Sequence, residues 1–361
     1  MFLEFFKQEI SMSIKRPMIW IFFLIVTLLV TAAVASDNFI IGGSVGNVYK
    51  NAPHILTIYT VLLTLICLMM PAAFFNNAAL RDYNHKFNEI LFSTPIGKSG
   101  YYFGRFMGAF VLSIIPFLGI FVGFFLGTQI ALISGSVDAE RIGPLYLSAF
   151  FNNLVLFIIP NLFISGAIIF SIANKWKSTV VSFVGALIII VAYLSSGSLA
   201  SNIDNETFAA LTDTFGIRTY SIDNKYATVV EKNTIGATFS WLLVVNRLFW
   251  IGLSTILLFV SYFSFSFAEK KTKVKAIKAN KSDTVSPKAL QKPAFSIHYN
   301  QQNLRQHFTS FFSLNFYSIT RSATYKTLFI FSGIMLFTSL FGGFEYFGLQ
   351  SYPVTYKMLD A

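Results

Sequence analysis

Charged and amide side chains inside apolar segments are the first candidates for chemistry in this chain. Arg247, next to Asn246, lies within a long apolar run, where a charge costs roughly 2.5–3.5 kcal/mol on insertion scales. Two interpretations fit Arg247: a contact in a substrate or gating path, or a side chain that extends to the nearby outer membrane surface. Asn161, in another apolar run, fits such a path and equally fits a hydrogen bond that packs two helices.

No other set of residues indicates catalysis or metal binding. Gly97-Lys98-Ser99 resembles the end of a phosphate-binding loop, but the glycine that this motif requires five positions earlier is Phe92. The sequence has no HExxH motif, and its single cysteine, Cys67, excludes an intrachain disulfide and a cysteine-based zinc site. We therefore predict no catalytic residue, no metal and no cofactor bound by this chain.

The composition is that of a membrane protein. Apolar residues make up 55% of the chain and charged residues 12%, with a mean hydropathy of +0.63. Soluble domains contain roughly 25% charged residues. Apolar runs of roughly 18–25 residues recur along the chain, and each is long enough to cross a bilayer as a helix. The sequence therefore predicts an all-α polytopic membrane protein.

The elements that would position the polar residues follow from these runs. Residues 1–17 predict an amphipathic helix at the membrane surface, because Phe2, Phe6, Ile10 and Ile14 recur every four residues. An ordinary cytoplasmic tail is the alternative. The predicted membrane spans that follow are 18–35, 55–79, 106–128, 147–173, 178–199 and 239–267.

The first two spans carry additional signals. Ala33-Val34-Ala35 resembles a signal-peptidase site, but the apolar run from Met18 is longer than a usual signal core, so we expect an uncleaved span. Pro71, within the second span, removes one backbone hydrogen bond and predicts a kink.

The remaining segments are polar or begin a second unit. Residues 200–238 predict a long outer loop, residues 268–306 a basic cytoplasmic linker, and residues 307–361 the start of a second permease-like unit with a seventh span at 325–341. The segments FKQEISMSIKR at 6–16 and FFSLNFYSITR at 311–321 share Phe, Ser, Ile and Arg at equivalent positions. We interpret this as a weak internal repeat and expect the chain to be a fragment of a longer protein.

The distribution of basic residues predicts the orientation. With a cytoplasmic N-terminus, about twenty of the 27 lysines and arginines fall in cytoplasmic segments and six in outer segments. This bias predicts a multi-pass protein of the inner, cytoplasmic membrane. It also explains the net charge of +11 without a nucleic-acid partner.

A polar cytoplasmic insert, residues 81–105, separates the second and third spans. Its sequence is RDYNHKFNEILFSTPIGKSGYYFGR. Arg81 to Phe92 predict a short helix, which Pro95 ends because a proline disfavours helix in the residue before it. A short helix that projects from a membrane suits docking into a groove of a soluble protein. The alternative is that the insert only packs against the N-terminal helix.

The insert also carries a family resemblance. Glu89-Ile-Leu-Phe-Ser-Thr-Pro-Ile96, followed by Gly104 and Arg105, resembles the segment between the second and third spans of ABC-2-type transporter permeases. The N-terminal interfacial helix, the six spans and the large outer loop are similar to that family over residues 1–267. The basic linker and seventh span resemble tandem permeases, some of which are fused to an aminopeptidase-like domain.

This resemblance implies a permease subunit of an ATP-driven ABC transporter, in the direction of export. Its partners would be a cytoplasmic ABC ATPase, which binds ATP and Mg, a second permease unit in the same or a tandem chain, and the lipid bilayer. The implied ATPase-coupling residues are Arg81, Asp82, Phe87, Glu89, Leu91, Ser93, Pro95 and Arg105. The alternative function is a membrane anchor or scaffold for an extracytoplasmic domain, such as a peptidase-like one, beyond the C-terminus.

Overall fold

The structure is a computed structural model that describes residues 1–36, 47–200, 206–267 and 301–321, with a few positions between 325 and 350. The chain divides into two compact units, Met1–Phe267 and Ala268–Ala361. The predicted seventh span, 325–341, lies almost entirely outside the described residues, and so does most of the predicted linker.

The described part of the first unit is helical, as the composition predicted. Its α-helices are α1 Phe2–Ile14, α2 Pro17–Ala35, α3 Pro53–Ile66, α4 Met69–Asn84, α5 Asn88–Ser93, α6 Lys98–Ser134, α7 Leu147–Asn153, α8 Ile159–Trp176, α9 Thr179–Ala200, α10 Glu206–Leu211, α11 Ile217–Asp223, α12 Val229–Thr234 and α13 Trp241–Ser264. A 3-10 turn at Ala139–Arg141 precedes α7, and a π-helical turn at Leu154–Ile158 connects α7 to α8.

The second unit contains one described helix, α14 Gln301–Arg321. Its described residues also form a minimal antiparallel ladder, β1 Glu345–Tyr346 and β2 Leu349–Gln350, which the all-α prediction did not include. Because α14 begins at Gln301, the last six residues of the predicted linker, 301–306, are helical.

Four helical segments of the described residues are long and apolar enough to cross a membrane. They are Pro17–Ala35, Lys98–Ser134, Leu147–Trp176 and Trp241–Ser264. They overlap the predicted first, third, fourth and sixth spans. The predicted fifth span, 178–199, coincides with α9, several of whose side chains lie outside the description. The count of six spans plus a seventh therefore stays a prediction.

The predicted second span is broken in two. Helices α3 and α4 are together long and apolar enough to cross a membrane, but the angle between their axes is 48°. The break falls at Cys67, where α3 ends, four residues before Pro71. A proline ring clashes with the carbonyl four residues before it, so Pro71 explains the position of the break and the predicted kink is confirmed.

Two stripes of glycines on α6 position α1 and α2. The stripe nearer the start of α6 lies against α1 and the later stripe lies against α2; they are Gly100, Gly104 and Gly108, and Gly119, Gly123 and Gly127. A Cβ on Gly104 would lie 2.8 Å from the Phe5 Cβ, so only glycine permits this approach. Small residues four apart let helix backbones pack closely without a hydrophobic driving force. One 37-residue helix thus organises the N-terminal half of the unit.

The later stripe yields a prediction about stability. A Cβ on Gly123 would lie 2.7 Å from the Val30 Cβ and 2.8 Å from the Thr27 carbonyl oxygen. We expect Gly123→Ala to lower the free energy of unfolding by about 1–3 kcal/mol through overpacking. Gly252, in α13, has open space around it. Gly252→Ala is the matched control, and it should leave stability unchanged or raise it by up to about 1 kcal/mol. Unfolding by SDS in mixed micelles measures the stability of both variants. Equal changes in stability would show that the stripe is not tightly packed.

The predicted outer loop contains three short helices, α10, α11 and α12. Helix α12 begins with a capping box, in which the Glu231 carboxylate accepts hydrogen bonds from the Thr228 backbone N–H at 2.7 Å and from the Thr228 hydroxyl at 2.8 Å. These bonds favour the ionised carboxylate and lower the pKa of Glu231. The segment is therefore locally ordered, although its mixed composition predicted only a loop.

Helices α4 and α6 extend into the predicted insert, residues 81–105. Helix α4 continues to Asn84 and α6 begins at Lys98, and a single six-residue helix, Asn88–Ser93, lies between them. The predicted helix from Arg81 to Phe92 is wrong in its extent. The physical reason is Lys86, whose φ of 55° reverses the chain between α4 and α5.

Candidate functional site

Four charged side chains form a buried cluster where α1, α4 and α6 meet. Glu9 of α1 accepts two hydrogen bonds from Arg81 of α4, at 3.3 and 3.0 Å, and one from Arg105 of α6 at 3.0 Å. Arg105 also forms a short ion pair with Asp82 of α4. Glu9 and Arg105 are each only 2% exposed. The cluster therefore fastens the N-terminal helix to two predicted spans at once.

The cluster is balanced in charge, and further hydrogen bonds support its two acids. It contains two acids and two arginines, and the Tyr101 hydroxyl donates to Asp82 Oδ2 at 2.9 Å while Ser13 donates to Glu9 at 3.3 Å. The Arg105 guanidinium also lies over the Tyr101 ring, 5.3 Å from its centroid. Buried ion pairs of this kind add little net stability, but breaking one leaves an uncompensated buried charge. The cluster is thus sensitive to the loss of any one member.

This geometry buries three of the predicted coupling residues. Arg81, Asp82 and Arg105 lie inside the helix bundle, away from the exposed surface of the insert, and their coupling role stays a prediction. They belong to α4 and α6; the two arginines face Glu9 and Asp82 faces Arg105, because an unpaired charge in this apolar surrounding would be costly. The insert does pack against α1 at its ends, as the alternative interpretation expected: Gly97 N–H contacts Met1 Sδ at 3.3 Å.

The five other predicted coupling residues are more accessible. Exposed positions are Phe87, Glu89, Ser93 and Pro95, while Leu91 is half-buried. Ile90, which is not among the predicted coupling residues, is 64% exposed. Together Phe87 and Ile90 give α5 an exposed apolar surface.

Helix α5 is anchored through an aromatic side chain. The Phe92 ring contacts the rings of Tyr83, Tyr101 and Phe267, with centroid distances of 5.8, 5.4 and 4.5 Å. Tyr101 in turn donates to Asp82 of the charge cluster. A displacement of α5 would therefore be transmitted through contacting side chains to α1, α4 and α6.

A second polar cluster contains the three predicted path or gating residues. Arg247 Nη1 donates to Asn161 Oδ1 at 2.8 Å, which joins α13 to α8. Asn161 Nδ2 donates to Thr64 of α3 at 3.0 Å. Asn246, next to Arg247 in sequence, donates to the Ala210 carbonyl near the end of α10. The structure thus brings together residues that are far apart in sequence.

These side chains bind the end of α10 and the turn that follows it, residues 210–216. The carbonyl oxygens that accept from α8 and α13 belong to five residues of that segment, which are Ala210 and Asp213 (from Asn246, 2.6 and 2.9 Å), Leu211 (from Trp250, 3.0 Å), Thr214 (from Arg247, 3.4 Å) and Phe215 (from Asn161, 3.2 Å). Buried backbone carbonyls outside regular helix hydrogen bonding require such partners. The turn is therefore seated between the ends of the helices.

Arg247 itself is buried. It is 4% exposed, and its guanidinium lies over the Phe157 ring, 5.7 Å from the centroid. The 210–216 segment covers the residue, so its side chain does not extend into solvent. Its Nη2 contacts Gly216, whose φ of +90° and lack of a side chain permit both the turn and this contact. A path or gating role for Arg247, Asn246 and Asn161 stays a prediction.

Asp213 orders the turn from within. Its Oδ1 accepts from the Gly216 N–H at 2.9 Å, and its Oδ2 accepts from the Thr219 N–H at 2.9 Å and the Thr219 hydroxyl at 3.3 Å. A carboxylate that accepts backbone N–H bonds at the start of a helix stabilises that helix, here α11.

No model of a known protein family matches this chain, and no curated protein is significantly similar to it. The permease resemblance therefore rests on the residues of the insert and on the order of the elements. Among the described residues, no group of three or more His, Cys, Asp and Glu side chains is arranged to bind a metal ion.

The structure adds Glu9 and Tyr101 to the site, and few features of the sequence pointed to them. One signal was present: Glu9 precedes Ser13 by four residues, so both lie on one helical face. The glycines of α6 recur every four residues and indicate a helix docked on them. Together these patterns point to a buried acid.

Proposed function

We propose that this chain is the membrane-spanning permease subunit of an ATP-driven ABC-2-type exporter. The observation that carries the proposal is α5, a helix that exposes Ile90 beside Phe87 and is fastened through Phe92 and Tyr101 to the buried charge cluster. A partner that pushed on α5 would displace α1, α4 and α6 together, because the cluster links them.

In this proposal the coupling role divides between two sets of residues. Phe87, Glu89 and Ile90 contact the partner, while Arg81, Asp82 and Arg105 transmit the movement. The N-terminus and the insert face the cytoplasm, in line with the positive-inside bias. A cytoplasmic ATPase subunit binds ATP and Mg, and a second permease unit completes the path.

A photocrosslinking experiment tests the contact. A photoreactive residue at position 90 should crosslink to one cytoplasmic protein, and the complex purified through this chain should hydrolyse ATP. For the variant Ile90→Asp, the photoreactive residue is placed at position 87 instead. We expect this variant to lose both the crosslink and the associated ATPase activity, because it places a charge in an apolar interface.

Val230→Asp is the matched control. Val230 is 70% exposed and also lies on a six-residue helix, α12, which contacts the loop that follows α2 rather than the insert. It should leave the ATPase activity unchanged. Purification of the intact chain with no associated ATPase activity would contradict the permease proposal and favour the membrane anchor or scaffold.

A further inference from the structure

One edge of the Arg247 guanidinium has no hydrogen-bond partner. Its Nη1 donates to Asn161 Oδ1 at 2.8 Å and to the Thr214 carbonyl at 3.4 Å. Among the described residues, none accepts a hydrogen bond from Nε or Nη2, although both atoms are buried. The Nε–H and one N–H of Nη2 lie side by side along one edge of the planar group. Such an edge binds a carboxylate or phosphate through two parallel hydrogen bonds.

The acid that interacts with Arg247 does not fill this edge. Asp213 acts on Arg247 electrostatically, but its two carboxylate oxygens accept from backbone N–H groups of the turn, at 2.9 Å each. Arg81 provides the contrast, because its Nη1 and Nη2 both donate to the Glu9 carboxylate. Buried charges are normally paired in this way. The free edge of Arg247 is therefore suited to an oxyanion from outside the chain.

The surroundings of the free edge would strengthen such a bond. The guanidinium lies over the ring of Phe157, which belongs to the π-helical turn Leu154–Ile158. Short π-helical turns inside α-helical segments occur frequently at functional sites. Hydrogen bonds between charged groups are stronger in a low-dielectric interior than in water. An anion bound here would therefore be held more firmly than one at an exposed arginine.

The segment 210–216 covers the free edge. A Cβ on Gly216 would lie only 2.2 Å from Arg247 Nη2 and 3.0 Å from the Phe157 ring, so the glycine backbone occupies the approach to Nη2. In this position the segment leaves charged N–H groups buried without acceptors, which is costly. An oxyanion that reached the edge would remove that cost. The segment and the anion therefore compete for the same edge.

We propose that Arg247 binds an oxyanion, a carboxylate or phosphate group, through its Nε–Nη2 edge when the segment 210–216 moves aside. The proposal is independent of the transporter function, because it concerns binding alone. A soluble molecule and a lipid headgroup can carry the same oxyanion, and the experiment separates these two sources.

NMR of the guanidinium groups tests the binding. The full chain, isotopically labelled at its arginine guanidinium nitrogens, is held in dodecyl maltoside micelles, and the Arg247 Nε–H signal is assigned by its loss in Arg247→Lys. Inorganic phosphate is then exchanged for chloride at constant ionic strength. We expect a saturable shift of the Arg247 signal and none of the Arg81 signal, because Arg81 already binds Glu9. Phosphatidylglycerol added to phosphate-free micelles tests the lipid headgroup as the source.

The variant Thr219→Val tests the competition with the cover. The buried Thr219 hydroxyl donates to the Ala210 carbonyl at 3.0 Å, and valine removes this bond without a change in charge. We expect phosphate to bind about threefold or more tightly, because the closed fraction lowers the affinity of a ligand that binds only the open form. Thr128→Val is the matched control. Thr128 is also buried, but its hydroxyl donates to the Phe124 carbonyl of its own helix, so the affinity should not change.

Three results would overturn the proposal. If neither phosphate nor phosphatidylglycerol shifts the Arg247 signal, in the wild type and in Thr219→Val alike, the edge does not bind an oxyanion. An equal shift of the Arg81 signal would show a general effect of the salt. Equal affinities of Thr219→Val and Thr128→Val would show that the segment 210–216 does not compete with the anion. Each result is read without the ATPase partner, so it leaves the transporter proposal unaffected.

Discussion

Replacing Glu9 with alanine is expected to lower the free energy of unfolding by about 3–5 kcal/mol, because it leaves Arg81 and Arg105 buried without their shared carboxylate. The loss should appear as a lower midpoint in SDS unfolding. It should also free the N-terminal helix, so that Phe5 becomes accessible to labelling. In the proposed transporter, the same change should uncouple α5 from the spans.

The control lies five residues earlier on the same helix. Glu4 pairs only with the N-terminal amine, and its side chain is 79% exposed. Exposed ion pairs contribute about 0–1 kcal/mol, so Glu4→Ala should have almost no effect. Equal effects of the two substitutions would contradict the buried cluster.

A double substitution distinguishes lost charge balance from lost packing. Glu9→Leu with Arg105→Leu removes one acid and one base and leaves Arg81 and Asp82 as neighbours of opposite charge. We expect this pair to be less destabilising than the sum of the single variants, since buried ion pairs are often replaceable by apolar groups. Strict additivity would show that the two side chains are energetically independent.

The charge cluster also shows what sequence could and could not predict. Apolar runs and the position of Pro71 predicted the helical segments and the kink, because both depend on local chemistry. The pairing of Glu9 with Arg81 and Arg105 depends on which helices pack together, and these residues are 72 and 96 positions apart. From the sequence, we therefore interpreted Arg81 and Arg105 as the ends of a polar insert, although they lie inside α4 and α6.

The partners of Arg247 were also not visible from the sequence. An arginine two turns from the end of an apolar helix usually extends to the membrane surface, which is the local expectation. The non-local fact is the turn at 210–216, whose carbonyls bind Arg247 and its neighbours. The sequence of that turn shows no hydrophobic periodicity, so its position between the helices was not visible from it.

The turn supports the second large prediction, made for Asn246→Ala. This substitution removes the side-chain hydrogen bonds to the Asp213 and Ala210 carbonyls. Each buried acceptor left without a partner costs about 1–3 kcal/mol, so we expect a loss of roughly 2–4 kcal/mol in the free energy of unfolding. Hydrogen exchange should localise the change, because the Gly216 and Thr219 amides depend on a correctly seated Asp213.

Asn224→Ala is the control for this prediction. The Asn224 amide donates to the Tyr220 carbonyl, four residues earlier on its own helix, and so it connects the turn to no other helix. Its removal should leave exchange at Gly216 and Thr219 unchanged. If Asn246→Ala also leaves that exchange unchanged, then Asn246 does not bind the turn in solution. A path role would then be the better explanation for its place beside Arg247, because a structural role predicts faster exchange and a path role does not.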